Sequence, residues 1–318
     1  MPAAMLSPVR YRLRAGGLAA EVVHETGGSL ASFYSVGEGG ASRHWLRPAP
    51  AEAETTPLAL AMASFPLVPW CNRIRDGRFE WNGRTVQLAP NVPVSPHTLH
   101  GLGWQRSWEV EASNEHSIDL LLNESGQGAW PFPFCCRMRY TLDHAGLEIV
   151  MELTNTGGES MPAGLGHHPY FPHDREGMGT IVTAQVDAIW LSDLEVMPTV
   201  LDASHPAVAR LPGGLQLAEF PMDNNFTGFQ RSARIDWPDG GALRVDASAP
   251  LDFMVLYTPQ ADDYFVLEAV SNCTDWINLL SNAVPGARQQ TVGGASLAPG
   301  TSMSITTRFT PLGREQTT

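Results

Sequence analysis

The sequence predicts an all-β chain, folded as a β-sandwich or a large barrel, and three observations carry that reading. The 30 glycines and 25 prolines are spread along the whole 318 residues rather than gathered at a few boundaries. The short segments between them alternate in polarity, as half-buried strands do. Sustained helical periodicity is missing.

Taken along the chain, Arg78-Phe79-Glu80-Trp81, then Asn82-Gly83, then Arg84 to Leu88 is the strongest hairpin signal. Asn-Gly supplies the positive φ values that a type I′ turn requires. A second hairpin runs from Arg137 to Leu142, turns through Asp143-His144-Ala145-Gly146, and returns from Leu147 to Asn155. A third joins Arg234 to Trp237 with Ala242 to Ala247 through Pro238-Asp239-Gly240-Gly241. Tyr264 to Val270 is apolar enough for a buried strand, and Ser302 to Phe309 alternates again after the turn Leu297-Ala298-Pro299-Gly300. Only Thr274 to Ser281, with Asn272 and Thr274 as possible caps, suits a short helix. Residues 48 to 57 read as an exposed loop, and the tail after Leu312 as frayed. No linker, charge block or repeat divides the chain, so residues 1–318 are expected to form one domain.

Composition narrows the chemistry. All 20 basic residues are arginine; the absence of lysine excludes Schiff-base catalysis, a pyridoxal or biotin attachment point and a phosphate-binding P-loop. A formal charge of −13 argues against a nucleic-acid partner, which calls for a basic stripe. No segment reaches the ~18 apolar residues of a membrane span. Arg10, Arg12 and Arg14 occupy the place of a signal-peptide core, so a cytoplasmic location is expected. Four cysteines without a C-x-x-C motif read as free thiols.

Five of the ten histidines fall into two groups, His97 with His100, and His167, His168 and His173. No H-E-x-x-H motif and no Cys/His zinc spacing accompanies them, so no metal site is expected. Adjacent His167 and His168 would point to opposite faces of a strand, so only one can serve a given site. Leu165-Gly166-His167-His168-Pro169-Tyr170-Phe171 places a histidine among aromatic rings in a turn-like context, which suits a positioned general acid. Ser95 to Trp104 is a second such segment, with His97, His100, two glycines and the indole of Trp104, which suits either packing or a sugar ring face. Glu268 lies within the apolar run from Tyr264 to Val270. A carboxylate there is either paired with an arginine or raised in pKa and ready for proton transfer.

Together these segments resemble the aldose 1-epimerase (galactose mutarotase) family. Asn72-Arg73-Ile74 with Gly77-Arg78-Phe79 resembles its N-R-I…G-x-F element, Leu99-His100-Gly101 its L-H-G, and His168-Pro169-Tyr170-Phe171 its H-x-Y-F. Asp223-Asn224-Asn225-Phe226 resembles D-x-x-F, Leu267-Glu268 with Thr274-Asp275 and Asn278 resembles L-E…D-x-x-N, and Leu297-Ala298-Pro299-Gly300 the closing L-x-P-G turn. The elements stand in the family's order from about residue 70 to 310. Two departures touch the sugar-lining loops: Gly101-Leu102-Gly103 replaces a double glycine, and Pro172 follows Phe171.

The resemblance implies a large antiparallel β-sandwich of the galactose mutarotase type and an isomerase that exchanges the α and β anomers of a free aldose without metal or organic cofactor. Matched by motif, Glu268 would be the general base at the C1 hydroxyl and His168 the general acid at the ring oxygen. His100, Arg73, Asn72 and Asp223 would bind the sugar, with Trp104 beside them. The expected partner is a small sugar, with no nucleic acid and no membrane, and the chain a monomer or homodimer. Two alternatives stand beside this: an epimerase of a phosphorylated or modified sugar using Arg73, Arg75 and Arg78, and a non-catalytic carbohydrate-binding protein on the same fold. A glycoside hydrolase would need two carboxylates flanking the bond, and only Asp223 can join Glu268.

Overall fold

The structure, a computed structural model, describes residues 9–37, 40–50, 59–93, 95–128, 130–174 and 179–313. Two large antiparallel sheets dominate it, so the choice between sandwich and barrel resolves to the sandwich. The first has 11 strands, running Arg10–Ala15, Leu18–Val23, Ser29–Val36, Ser64–Leu67, Gly166–Pro172, Tyr264–Val270, Phe253–Tyr257, Asp223–Thr227, Ala188–Ser192 and Pro198–Asp202, with Ser42–His44 beside Ser29–Val36. The second has nine, from Glu109–Ser113 through Phe134–Leu142, Leu147–Asn155 and Ser302–Leu312 to Leu215–Gln216.

Alternation decides which side chains meet between the sheets. In Phe134–Leu142 the even residues Phe134, Cys136, Met138, Tyr140 and Leu142 are buried, while Arg137 and Arg139 face outward. From the first sheet Phe171 stacks on Phe265 and meets Phe309 of the second edge-on at 6.1 Å. Tyr140 of the second sheet donates its hydroxyl proton to the Gly28 carbonyl at 2.7 Å. Each such aromatic removes a large apolar area from water, and the interior they make is one continuous cluster.

All three hairpins form. Arg78–Trp81 pairs with Arg84–Gln87 across Asn82 and Gly83, whose φ values of 50° and 74° are those of a type I′ turn. The expected helix is shorter, Trp276–Ser281, and opens at Asp275 in the left-handed region. Asn272 and Thr274 do not cap it, because their side chains bond to the Cys71 and Cys273 backbone and to Asn225 instead. Pro206–Arg210 and Gln289–Val292 are also helical, each too short to leave a periodic signal. The segment read as turn-like is instead the interior strand Gly166–Pro172. It accommodates Pro169 because the ladder to Tyr264–Val270 breaks between Gly166 and Tyr170, resuming in the same register. The four cysteines are free thiols. Residues 51–57 and 314–318, expected as loop and tail, lie outside the described residues.

Candidate active site

The site is built on the outer face of the 11-stranded sheet, and strand register explains its membership. His168 lies opposite Phe65 on one side, and the register that pairs Tyr170 with Val266 sets His168 opposite Glu268 on the other. Glu268 in turn faces Val255, and Val255 faces Asn225. Two residues along, the next row on the same face carries Tyr170, Val266, Tyr257 and Asp223. Residues a hundred positions apart in sequence thus become cross-strand neighbours.

His168 Nε2 lies 3.3 Å from Glu268 Oε1. The imidazole is caged: Phe65 stacks on it at 4.5 Å and 14°, Tyr170 packs against it at 4.7 Å, and His100 meets it edge-on at 5.0 Å. Glu268 is only 2% exposed, and its Oε2, like His168 Nδ1, has no hydrogen-bond partner among the described residues. Burial, reinforced by the Asp223 carboxylate and opposed by Arg73, holds Glu268 well above the usual carboxylate range. Burial also depresses His168, aided by the positive charges of Arg47 and Arg73, to about 3. The contact has ion-pair geometry, yet desolvation weighs on both charges; the resting pair is read as neutral, with one proton between two sites.

Two loops close over this face. Arg73–Ile74 and Thr98–Leu99 form a two-rung ladder that carries Asn72 and His100 at its end, both left-handed at φ 60° and 59°. Gly101 brings this loop onto the sheet: a Cβ there would stand 2.0 Å from the Val68 carbonyl oxygen, which accepts the Leu102 and Gly103 N–H groups instead. Asn72 Oδ1 accepts from the Arg73 backbone at 2.8 Å and from its Nη1 at 3.3 Å. The guanidinium then reaches Asp223 at 3.7 Å. Asp275 fastens the strand from behind, donating its N–H to the Arg73 carbonyl and accepting from the Arg75 N–H at 3.0 Å and Asn278 at 2.7 Å.

Six of the seven expected site residues therefore converge: Glu268, His168, His100, Asn72, Arg73 and Asp223. Trp104 does not join them directly. It is 4% exposed, donates its indole N–H to the Leu99 carbonyl and packs on Phe65 at 5.7 Å, so its contact with the site passes through that ring. His167, the alternative to His168, points between the sheets, with Nδ1 3.3 Å from Ser64 Oγ and its ring 6.0 Å from Tyr140. His97 accepts the Asp76 N–H and His173 pairs with Thr180, both at structural positions. Phe65, Tyr257 and Arg47 were missed by sequence reasoning. Arg47 stacks on Tyr170 at 3.9 Å and Tyr264 at 4.6 Å, and only the pairing of distant strands reveals it. Tyr257 was the most accessible to inference, from the even spacing of a strand preceding Tyr264.

His100, His168 and Glu268 are the one group among the described residues whose side-chain ligand atoms, all within 4.8 Å of one another, could converge on a metal ion. The donor set does not fit one. His100 Nδ1 already accepts the Asn72 N–H at 3.2 Å, so the neutral ring keeps its proton on Nε2. Two lone-pair donors remain, short of the three that an open zinc site uses.

A family model described as Aldose 1-epimerase matches residues 9–310. YphB, an uncharacterized protein of Escherichia coli K12, is 32% identical over 247 residues, covering 70% of this chain and 80% of that protein. A solved structure of a provisionally assigned aldose 1-epimerase from E. coli K12 superposes with a TM-score of 0.82 at 26% identity, covering 96% and 99% of the two chains. A galactose mutarotase-like protein from Clostridium acetobutylicum has the same TM-score at 18% identity, over 95% and 94%. Among the described residues no helix is long and apolar enough to cross a membrane.

Proposed function

We propose that this chain, which belongs to the aldose 1-epimerase family, interconverts the α and β anomers of a free aldose by acid–base ring opening, using its own side chains alone. The observation that carries the reading is the 3.3 Å contact between His168 Nε2 and Glu268 Oε1, both buried. Moving one proton across the gap converts the neutral pair into carboxylate and imidazolium, so a base and an acid are always present together. With sugar bound, Glu268 takes the proton of the C1 hydroxyl and the O1 electrons form the carbonyl. The C1–O5 bond breaks, and His168 protonates O5. Rotation about C1–C2 presents the other carbonyl face, and closure runs the two transfers backward. Each positioned group contributes about 10²–10⁴-fold.

Arg73, steadied by Asn72 and Asp223, supplies a planar fork of donors for adjacent hydroxyls. A phosphorylated sugar is disfavoured by the carboxylates that surround Arg75 and Arg78. Arg75 is drawn toward Asp193, Glu195 and Asp275 at 3.4–3.8 Å, and Arg78 is an exposed partner of Glu80. Those carboxylates neutralise the cluster that a phosphate needs. A purely binding protein would have no use for a desolvated acid–base pair with two unpartnered atoms.

The test is polarimetry of freshly dissolved α-D-glucose and α-D-galactose with EDTA-treated protein, beside Glu268→Gln and His168→Asn. We expect faster anomer exchange with the wild type and a loss of about 10²–10⁴-fold in each variant while both remain folded. No acceleration across a panel of free aldoses, with sugar binding intact, would move the assignment to a binding protein.

A further inference from the structure

We infer that Arg47 selects sugars that carry a carboxylate on C5, so that the substrates served best are hexuronates rather than neutral hexoses. The inference rests on the mutarotase reading and names the substrate class of that same site.

Arg47 follows the strand Ser42–His44, and its backbone N–H donates to the Tyr170 carbonyl at 2.8 Å. Its guanidinium lies over the rings of Tyr170 and Tyr264, and Nη2 donates to the Leu60 and Met62 carbonyls at 3.1 and 3.2 Å. Those carbonyls fix the direction of the group but carry no net charge. Among the described residues no carboxylate pairs with Arg47, Nη1 has no acceptor, and Nε is buried without a partner. Arg73, by contrast, has Asp223. With Glu268 and His168 neutral, the site holds two arginines against the one carboxylate of Asp223. A charged donor withdrawn from water without an acceptor is costly, and its persistence calls for a use.

The direction of the bound sugar supplies that use. Asp223 stands on the strand three along from that of His168, beyond Glu268 and Val255. With the C1 hydroxyl at Glu268 and O5 at His168, C2 and C3 extend from C1 toward Asp223 and Arg73. C5 is bonded to O5 on the side away from C1, so C5 and the carbon it carries lie over the His168 strand. Tyr170 is the next residue on that face, about 7 Å along the strand, and Arg47 covers it. The charge is felt at the reacting atoms: burial first, then Arg47 and Arg73, depresses His168. A carboxylate at C6 meets Nη1 in a charge-assisted hydrogen bond, whereas a hydroxymethyl group leaves the cation unbalanced. One guanidinium balances one negative charge, which suits a carboxylate and not a phosphate dianion.

The experiment follows anomer exchange at equilibrium by two-dimensional ¹H exchange spectroscopy. The substrates are D-galacturonate and D-glucuronate, their C6 amides, and the parent hexoses. The amides keep the shape of the carboxylate and lack its charge. We expect kcat/KM for each acid to exceed that for its amide by about 10–100-fold, the range for a hydrogen bond to a charged group. In Arg47→Gln the two should become nearly equal. That substitution also removes the bonds to Leu60 and Met62, so the acid-to-amide ratio is read, which the folded fraction of the variant does not alter. A wild-type ratio near one overturns the inference and leaves the mutarotase reading intact. A ratio that survives in Arg47→Gln assigns the preference to Arg73 and overturns it equally. Exchange of none of these sugars, with the acid still bound more tightly than the amide by calorimetry, would count against the mutarotase reading and leave charge selection standing.

Discussion

At the scale of single residues, the buried carboxyl of Glu268 makes stability depend on pH. Its folded-state pKa lies above the 4.5 of an ordinary glutamate because burial disfavours the charge. The folded state therefore holds the proton more tightly than the unfolded chain. The stability this contributes is complete below about pH 4.5 and is lost as pH rises toward the folded-state value. Glutamine keeps the shape and carries no such dependence. We expect Glu268→Gln to melt higher than wild type at pH 8, on the order of 3 °C, with the difference vanishing in acid. Melting curves at several pH values check this, and a destabilised Gln variant at pH 8 would mean that the carboxylate is needed structurally. That only one of the two adjacent histidines can line the site was legible, because neighbours in a strand face opposite ways. Which of them lines the site depends on Ser64 and Tyr140 taking His167, contacts from distant segments that no local pattern announces.

At the scale of elements, the hairpins were readable because their turns are local chemistry: Asn82-Gly83 adopts the conformation its residues demand. The strand holding His168 was harder, since Pro169 signals a break and only the gap in the ladder lets it stay. The site loop was readable as L-H-G without its reason, which is the approach of Gly101 to Val68. Gly101→Ala tests that reason. Its φ of 73° is strained for alanine, and the new methyl would sit 2.0 Å from a backbone oxygen. We expect a loss of about 3 kcal/mol in urea unfolding, at the high end for a point substitution. A loss below about 1 kcal/mol would show that the loop relaxes around the added carbon.

At the scale of the whole molecule, sequence alternation established strands but left sandwich and barrel open, because closure is decided by which distant strands pair. That Ser64–Leu67 lies beside Gly166–Pro172 is a fact of topology, absent from any window of sequence. The arginines were equally opaque. Several of those described form exposed pairs across neighbouring strands, such as Arg137 with Glu111 and Arg139 with Asp119, which contribute little to stability. His168 and Glu268 stand on interior strands of the larger sheet, whereas Arg73 and His100 ride on a two-rung ladder. Local opening starts where few hydrogen bonds hold. Hydrogen–deuterium exchange should therefore label residues 72–77 and 98–103 well before Gly166–Pro172 and Tyr264–Val270, and uniform protection would contradict this. The enzymological consequence lies in how activity fails on warming. Below the global transition KM should climb first, while kcat at saturating sugar holds: a molecule that loosens its hold on the substrate before it loses the means to transform it.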